Sequence, residues 1–187
     1  GKAMVYKTNT LTLEETEAFA SAFFENLGTT LDETRNDAYE ESALYWAENS
    51  YSISIDYKGG SYDFTAFDTS YPDEGEEQPA PVKDATEEEI RDALVVYGIE
   101  LPTEAVFMNN TDGVYLFTVE RAEIDGNIYD GKLLCEYYDN GKFASIRNSI
   151  KKFDEYKEFD ICSEQEAYEQ ILSGEFVGAI NAGTKIN

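Results

Sequence analysis

The chain has no histidine, two cysteines, four prolines and only 14 Lys+Arg in 187 residues. Each scarcity removes a class of chemistry. Without imidazole there is no Ser-His-Asp or Cys-His nucleophile pair and no His-ligated zinc. Cys135 and Cys162 cannot supply the four ligands of a structural zinc. The 39 Asp+Glu leave a formal net charge of -25, and phosphate binding depends on clustered Lys and Arg, so nucleic acid is not an expected partner. The sole basic dipeptide, Lys151-Lys152, is followed after Phe153 by Asp154 and Glu155. No run approaches the roughly 18 apolar residues of a membrane helix. There is no G-x-G-x-x-G, no P-loop and no G-x-S-x-G setting. No cofactor is expected.

What is present points to a folded protein. Aromatics make up 14% of the chain, with 14 Tyr and 11 Phe, whereas disordered acidic chains are poor in them. The length suffices for one substantial core or two small ones. Strong negative charge keeps a chain soluble and suits cation-rich surroundings such as a cell wall. Gly1, in place of an initiator Met, reads as a cleavage scar with room for a removed leader or anchor. The two cysteines are open to two readings: one disulfide in an exported protein, or two buried small hydrophobes.

Three segments open with a capping box and close with glycine: Thr12 to Gly28, Thr86 to Gly98 and Ser163 to Gly174. In each, the Ser or Thr hydroxyl can accept the N3 amide proton while the N3 Glu (Glu15, Glu89, Glu166) reaches back to the cap. Apolar residues recur at helical spacing behind each box, including Phe19, Ala20, Phe23, Phe24 and Leu27 in the first. A further helix is expected over 36–48, with Tyr39, Ala43, Trp46 and Ala47 inward.

Elsewhere the period is two. Tyr51, Ile53, Ile55 and Tyr57 alternate with polar residues, and Gly59-Gly60 predicts a two-residue turn facing Tyr57 to Tyr62, Ile55 to Phe64 and Ile53 to Ala66. Asn140-Gly141 predicts a second hairpin, with Leu133, Cys135 and Tyr137 on the face of Ala144 and Ile146. Further strands are expected over 114–123 and 105–108. The segment 68–84 holds three of the four prolines and the acidic run Asp73-Glu74-Gly75-Glu76-Glu77. These readings predict an α+β chain: residues 1–70 as a helix/hairpin half, 71–84 as an acidic linker and 85–187 as a second half. The two related halves are expected to carry antiparallel sheets with helices packed on one face.

Among constellations that carry chemistry, paired carboxylates come first, because a glycosidase needs two across a cleft. Glu14, Glu15, Glu87, Glu88, Glu89, Glu164 and Glu166 already serve helix N-termini; Glu120 and Glu136 lie in expected strands. The loop 125–130 approaches a calcium loop but lacks the alternating EF-hand ligands. Tyrosines in or beside strands are candidates for a binding platform, with Tyr62, Tyr115, Tyr129 and Tyr138 foremost. The bland alternative is that these rings are core or sheet surface.

Phe117-Thr118-Val119-Glu120, Ile124-Asp125-Gly126-Asn127-Ile128-Tyr129, Tyr138-Asp139-Asn140-Gly141-Lys142, and Ser163-Glu164-Gln165-Glu166-Ala167-Tyr168 with Gly174-Glu175-Phe176 follow one another over 114–176. This succession resembles PepSY-like domains, and within them the extracytoplasmic YycH/YycI-type regulatory proteins of Gram-positive bacteria. The resemblance covers about a third of the chain and rests on turns and caps, which report fold more than function. It implies a non-catalytic module outside the cytoplasmic membrane that binds and modulates an envelope protein or peptide. Membrane association would come only through an anchor outside these residues, as in a lipoprotein. The family supplies no catalytic residues to carry over. The alternative is a secreted carbohydrate-active hydrolase or glycan-binding module that uses carboxylates and tyrosines.

Overall fold

The computed structural model describes residues 2–48, 50–67, 74–75, 77–160 and 163–173. These fall into two compact units. The larger is Thr8–Asp154; the smaller comprises the described residues of Gly1–Lys7 and Glu155–Asn187.

In the larger unit, α1 (Leu13–Asn26) is followed by β2 (Asn36–Ala38), β3 (Ser42–Ala47), β4 (Tyr51–Asp56) and β5 (Tyr62–Ala66). Then come α2 (Glu87–Val96), β6 (Val106–Thr111), β7 (Val114–Ile124), β8 (Asn127–Tyr137) and β9 (Phe143–Asn148). The smaller unit holds β1 (Lys2–Lys7) and α3 (Glu164–Ser173). β10 (Lys151–Asp160) begins in the larger unit, where Lys151, Lys152 and Phe153 pair with Asp130, Tyr129 and Ile128 of β8. Its second half belongs to the smaller unit, where Lys2 Nζ meets Glu158 Oε2 at 2.8 Å.

The larger unit corrects the expected α+β layering. Strand accounts for 47% of the chain and helix for 19%, and the strands form one curled antiparallel half-barrel. Their order is β6-β7-β8-β9-β5-β4-β3-β2. Strands from both expected halves join in it, because β5 pairs with β9 from Tyr62↔Asn148 to Thr65↔Ser145. Two sheets in two halves would leave two pairs of open edges; one continuous sheet removes an edge from each.

The helix expected over 36–48 is instead β2, a turn and β3. Tyr39, Ala43, Trp46 and Ala47 fit a helical face, yet Ala43, Tyr45 and Ala47 also fit a period of two. The strand prevails because β4 offers partners: Ala43 lies opposite Ile55 and Tyr45 opposite Ile53. Tyr45 is thereby fully buried. Trp46 faces the other way, stacked on Phe67 at 5.6 Å and covered by the Arg35 guanidinium at 4.3 Å.

The first hairpin keeps its expected face but shifts register by two. Ile55 lies opposite Tyr62 and Ile53 opposite Phe64, because the turn is longer than Gly59-Gly60 alone. Asp56 N donates to Ser61 O at 2.8 Å, so residues 57–60 form the loop. A shift of two leaves every side chain on its original side. The Asn140-Gly141 hairpin forms with Cys135 opposite Ile146, and a bulge beside Glu136 lets both Phe143 and Ala144 be buried.

All three capping boxes form. Thr12 Oγ1 accepts from Glu15 N at 3.1 Å, and Thr86 Oγ1 accepts from Glu89 N at 3.3 Å. Ser163 Oγ accepts from Glu166 N at 3.2 Å in the smaller unit. Such a cap stabilises a helix by about 1 kcal/mol. α1 and α2 then deliver Phe23, Phe24, Ile90 and Leu94 to the inner face of the sheet, all buried. Fully burying a side chain of this kind stabilises by roughly 1.5–3 kcal/mol. Rings run on across the core, with Phe23–Phe64 at 5.0 Å, Phe64–Tyr97 at 5.7 Å and Tyr97–Phe143 at 5.2 Å.

Candidate functional site

α1, the loop after α2 and the inner face of the sheet leave an open cleft of about 390 Å³. Its walls are the rings of Phe19, Phe23, Tyr62 and Tyr97. Asn26, Glu100 and Asn148 add polar groups. A small-molecule or side-chain site has this size.

Each wall is positioned by local structure. Phe19 and Phe23 are one helical turn apart on α1, so both point to the same side. Phe23 is buried and fixed by Phe64, whereas Phe19 at the rim is 41% exposed. Phe19 lies 5.2 Å from Tyr62, ring to ring, and Phe23 lies 5.7 Å from it at 68°. Tyr97 caps α2, and its hydroxyl accepts from Phe143 N at 3.0 Å, which ties the end of the helix to β9. Gly98 follows at φ +75, and a Cβ there would sit 2.3 Å from Asn26 Nδ2. Glycine takes the left-handed turn without strain and leaves room for that amide. Asn26 Nδ2 in turn donates to Tyr97 O at 3.3 Å.

Asn148 ends β9 in phase with the inward Ile146. Its Oδ1 accepts from Ile150 N at 2.9 Å, and its Nδ2 donates to the Tyr62 hydroxyl at 3.3 Å. Burial pushes the Tyr62 phenol up to about 12, with the Asn148 bond opposing it. The phenol therefore stays protonated at neutral pH and offers a hydrogen bond rather than a base.

A second concavity of about 540 Å³ is lined by Thr10, Leu11, Leu13, Glu40, Glu41, Asp56, Tyr57 and Lys58. It is larger and carries three acids. Glu40 and Glu41 are exposed, and Asp56 Oδ1 accepts from Lys58 N at 2.6 Å to hold its own turn. The aromatic cleft is the stronger candidate because its rings are fixed by the core, with Phe23 on Phe64 and Tyr97 on Phe143.

Of the four tyrosines singled out in the sequence, only Tyr62 lines the cleft. Tyr115 is fully buried and structural: its hydroxyl donates to Val82 O and accepts from Ala85 N at 3.0 Å. Tyr129 is part-buried against the core, and Tyr138 stands at the base of the Asn140-Gly141 turn, where its N donates to Lys142 O at 3.0 Å. The cleft is instead completed by Phe19, Asn26, Tyr97, Glu100 and Asn148. One signal for Asn148 was readable: a polar residue at an inward strand position.

Cys135 is a fully buried free thiol on β8. Burial pushes its pKa up to about 12, so it is not a thiolate nucleophile at neutral pH. Cys162, the partner in the disulfide reading, lies outside the described residues, as does Gly174 after α3. Among the described residues no group of three Cys, Asp or Glu side chains is placed to hold a metal ion, and no helix is long and apolar enough to cross a membrane. Comparison with protein-family models, curated proteins and solved structures finds no match to this chain.

Proposed function

We propose that this chain is a non-catalytic binding module of a bacterial cell-envelope protein, working outside the cytoplasmic membrane. Its aromatic cleft would take one side chain or head group of a protein or peptide partner. The observation that carries this reading is the open cleft walled by Phe19, Phe23, Tyr62 and Tyr97, held in place by the core. The reactive groups support it. The Tyr62 phenol and the Cys135 thiol are both held in their neutral forms, and the chain has no imidazole. The PepSY-like succession of turns and caps supports the location, and lipid anchoring beyond these residues is part of the proposal.

The test is selection of a displayed peptide library on the full chain, followed by affinity measurement on Phe19→Asp. Phe19 is 41% exposed at the rim, so the variant should fold with a lowered melting temperature, and affinity is compared well below that temperature. Enriched peptides should carry an apolar or aromatic anchor and lose at least about tenfold in affinity, equivalent to ~1.4 kcal/mol. Peptides that bind Phe19→Asp undiminished would overturn the assignment. A glycan-binding or carbohydrate-active role is the second reading. The acids Glu40, Glu41 and Asp56 around the second concavity favour it, and cell-wall oligosaccharides in the same assay test it.

A further inference from the structure

We infer that β6 is a docking edge for a second copy of this chain, the two β6 strands pairing antiparallel about a two-fold axis through Phe107. This surface is separate from the cleft and independent of its role. The sheet of the larger unit starts at β6 and ends at β2. Each of these strands therefore has one free side, with backbone N–H and C=O groups open at alternate residues. The two edges are built differently. β2 is three residues long, contains Asp37 and is soon followed by Glu40 and Glu41. A short, charged edge resists pairing. β6 runs for six residues, Val106 to Thr111, with no charged residue and no proline. Phe107 turns inward and stacks on Tyr115 at 5.8 Å, so Val106 and Met108 turn outward, where they are 66% and 52% exposed. The apolar patch continues across the sheet, because Met108 lies opposite Leu116 and Leu116 opposite Leu134, both half-buried.

An open edge takes an extended chain, and the side chains select which one. β6 carries no charge for a basic or acidic segment to meet. It is complementary to itself. With the axis at Phe107, Val106 of each copy faces Met108 of the other, and the two Phe107 residues face each other. A register shift between Asn109 and Thr111 ends the regular stretch, so pairing centres on 106–108 and leaves Glu104 and Asp112 outside it. Such an isologous contact joins the two apolar patches without setting like charges opposite one another. An uncharged edge is also where two chains of formal charge -25 meet with least repulsion. The repulsion that remains is long-range and is screened by salt. Association should therefore strengthen with ionic strength, the reverse of a complex held by opposite charges.

The experiment is sedimentation equilibrium of the full chain over a concentration series at about 0.05 and 0.5 M sodium chloride. Backbone hydrogen exchange is followed at low and high chain concentration. A dimer should be populated below about 0.5 mM chain and bind more tightly at the higher salt. Exchange should slow with concentration within 106–108 and not within 36–38. Val106→Lys reduces the net negative charge of each copy, so an association driven by charge would tighten. Strand pairing should instead weaken at least about tenfold, because the apolar contact is lost on both sides of the axis. The variant's own fold should hold, with a melting temperature within about 3 °C of the native chain at monomer concentrations, since Val106 is mostly exposed.

A chain that stays monomeric throughout would overturn the inference. So would a dimer that loosens as salt rises, one that Val106→Lys leaves equal or tighter, or one that leaves exchange at 106–108 unchanged. The exchange readout uses the native chain and holds whether or not the variant folds.

Discussion

Replacing Tyr115 with Phe removes one oxygen from the core and leaves the ring in place. That oxygen joins β7 to the segment leading into α2, because it donates to Val82 O and accepts from Ala85 N at 3.0 Å. Ala85 is only 7% exposed, so water cannot easily replace the lost acceptor. A buried N–H left without a partner costs about 1–3 kcal/mol, and the lost bond to Val82 about 0.5–1.5 more. No cavity term applies, since Phe fills the same ring volume. The expected loss is therefore ~2–4 kcal/mol. With a urea slope of about 1–3 kcal/mol/M, the unfolding midpoint should fall by roughly 1–2 M. Hydrogen exchange at the Ala85 amide should speed up well before global unfolding. Tyr39→Phe, at a residue 58% exposed, is the control and should stay within about 0.5 kcal/mol. A midpoint for Tyr115→Phe within about 0.3 M of the native value would refute the structural role assigned to this hydroxyl.

Three further outcomes are expected. Gly131→Ala should lower the melting temperature by at least about 5 °C, because a Cβ there would lie 2.2 Å from Ser149 O at φ +136; a change under about 2 °C would contradict the close approach of β8 to residue 149. The Thr86 backbone N–H, and then its hydroxyl, hold the Glu89 carboxyl below the ordinary glutamate range. A depressed native pKa stabilises the fold above the unfolded value of about 4.3 and loses that effect as pH falls through the native pKa. The melting-temperature gap between native chain and Glu89→Ala should thus be full above the unfolded value and close as pH falls through the lowered native pKa, and a gap that widens on acidification would contradict the capping role. In a Cys162→Ser background, Cys135 should react with an aromatic disulfide reagent only at the rate of unfolding, since its thiol is buried and pushed up to about 12; fast labelling of the native protein would refute this.

The local grammar of the fold was legible in the sequence. Capping boxes specify helix starts through short-range hydrogen bonds, and all three appear where Thr12, Thr86 and Ser163 place them. The faces of both hairpins were readable because period-two patterning survives a register shift of two. Long-range matters were not. Ala43, Tyr45 and Ala47 become a strand only because β4 is beside them, and nothing in 36–48 by itself states that. The union of β5 with β9 joins residues 80 or more positions apart, as in Arg147 Nε donating to Asp63 Oδ1 at 2.8 Å. The cleft was half visible. Tyr62 was a candidate, while Phe19 and Phe23 read as core stripe and Tyr97 as the last residue of a helix. Their convergence depends on how α1 and α2 come to rest on one curled sheet.

The central claim is that this chain acts through the aromatic cleft between α1, the end of α2 and the inner face of the sheet. The most direct measurement is the NMR map of where a library-selected peptide lands on the isotope-labelled chain. The account predicts perturbations concentrated at Gly60, Gly98, Ile99 and the side-chain amides of Asn26 and Asn148. Perturbations clustered instead around Glu40, Glu41 and Asp56, or along the exposed Val106 and Met108 of β6, would contradict it.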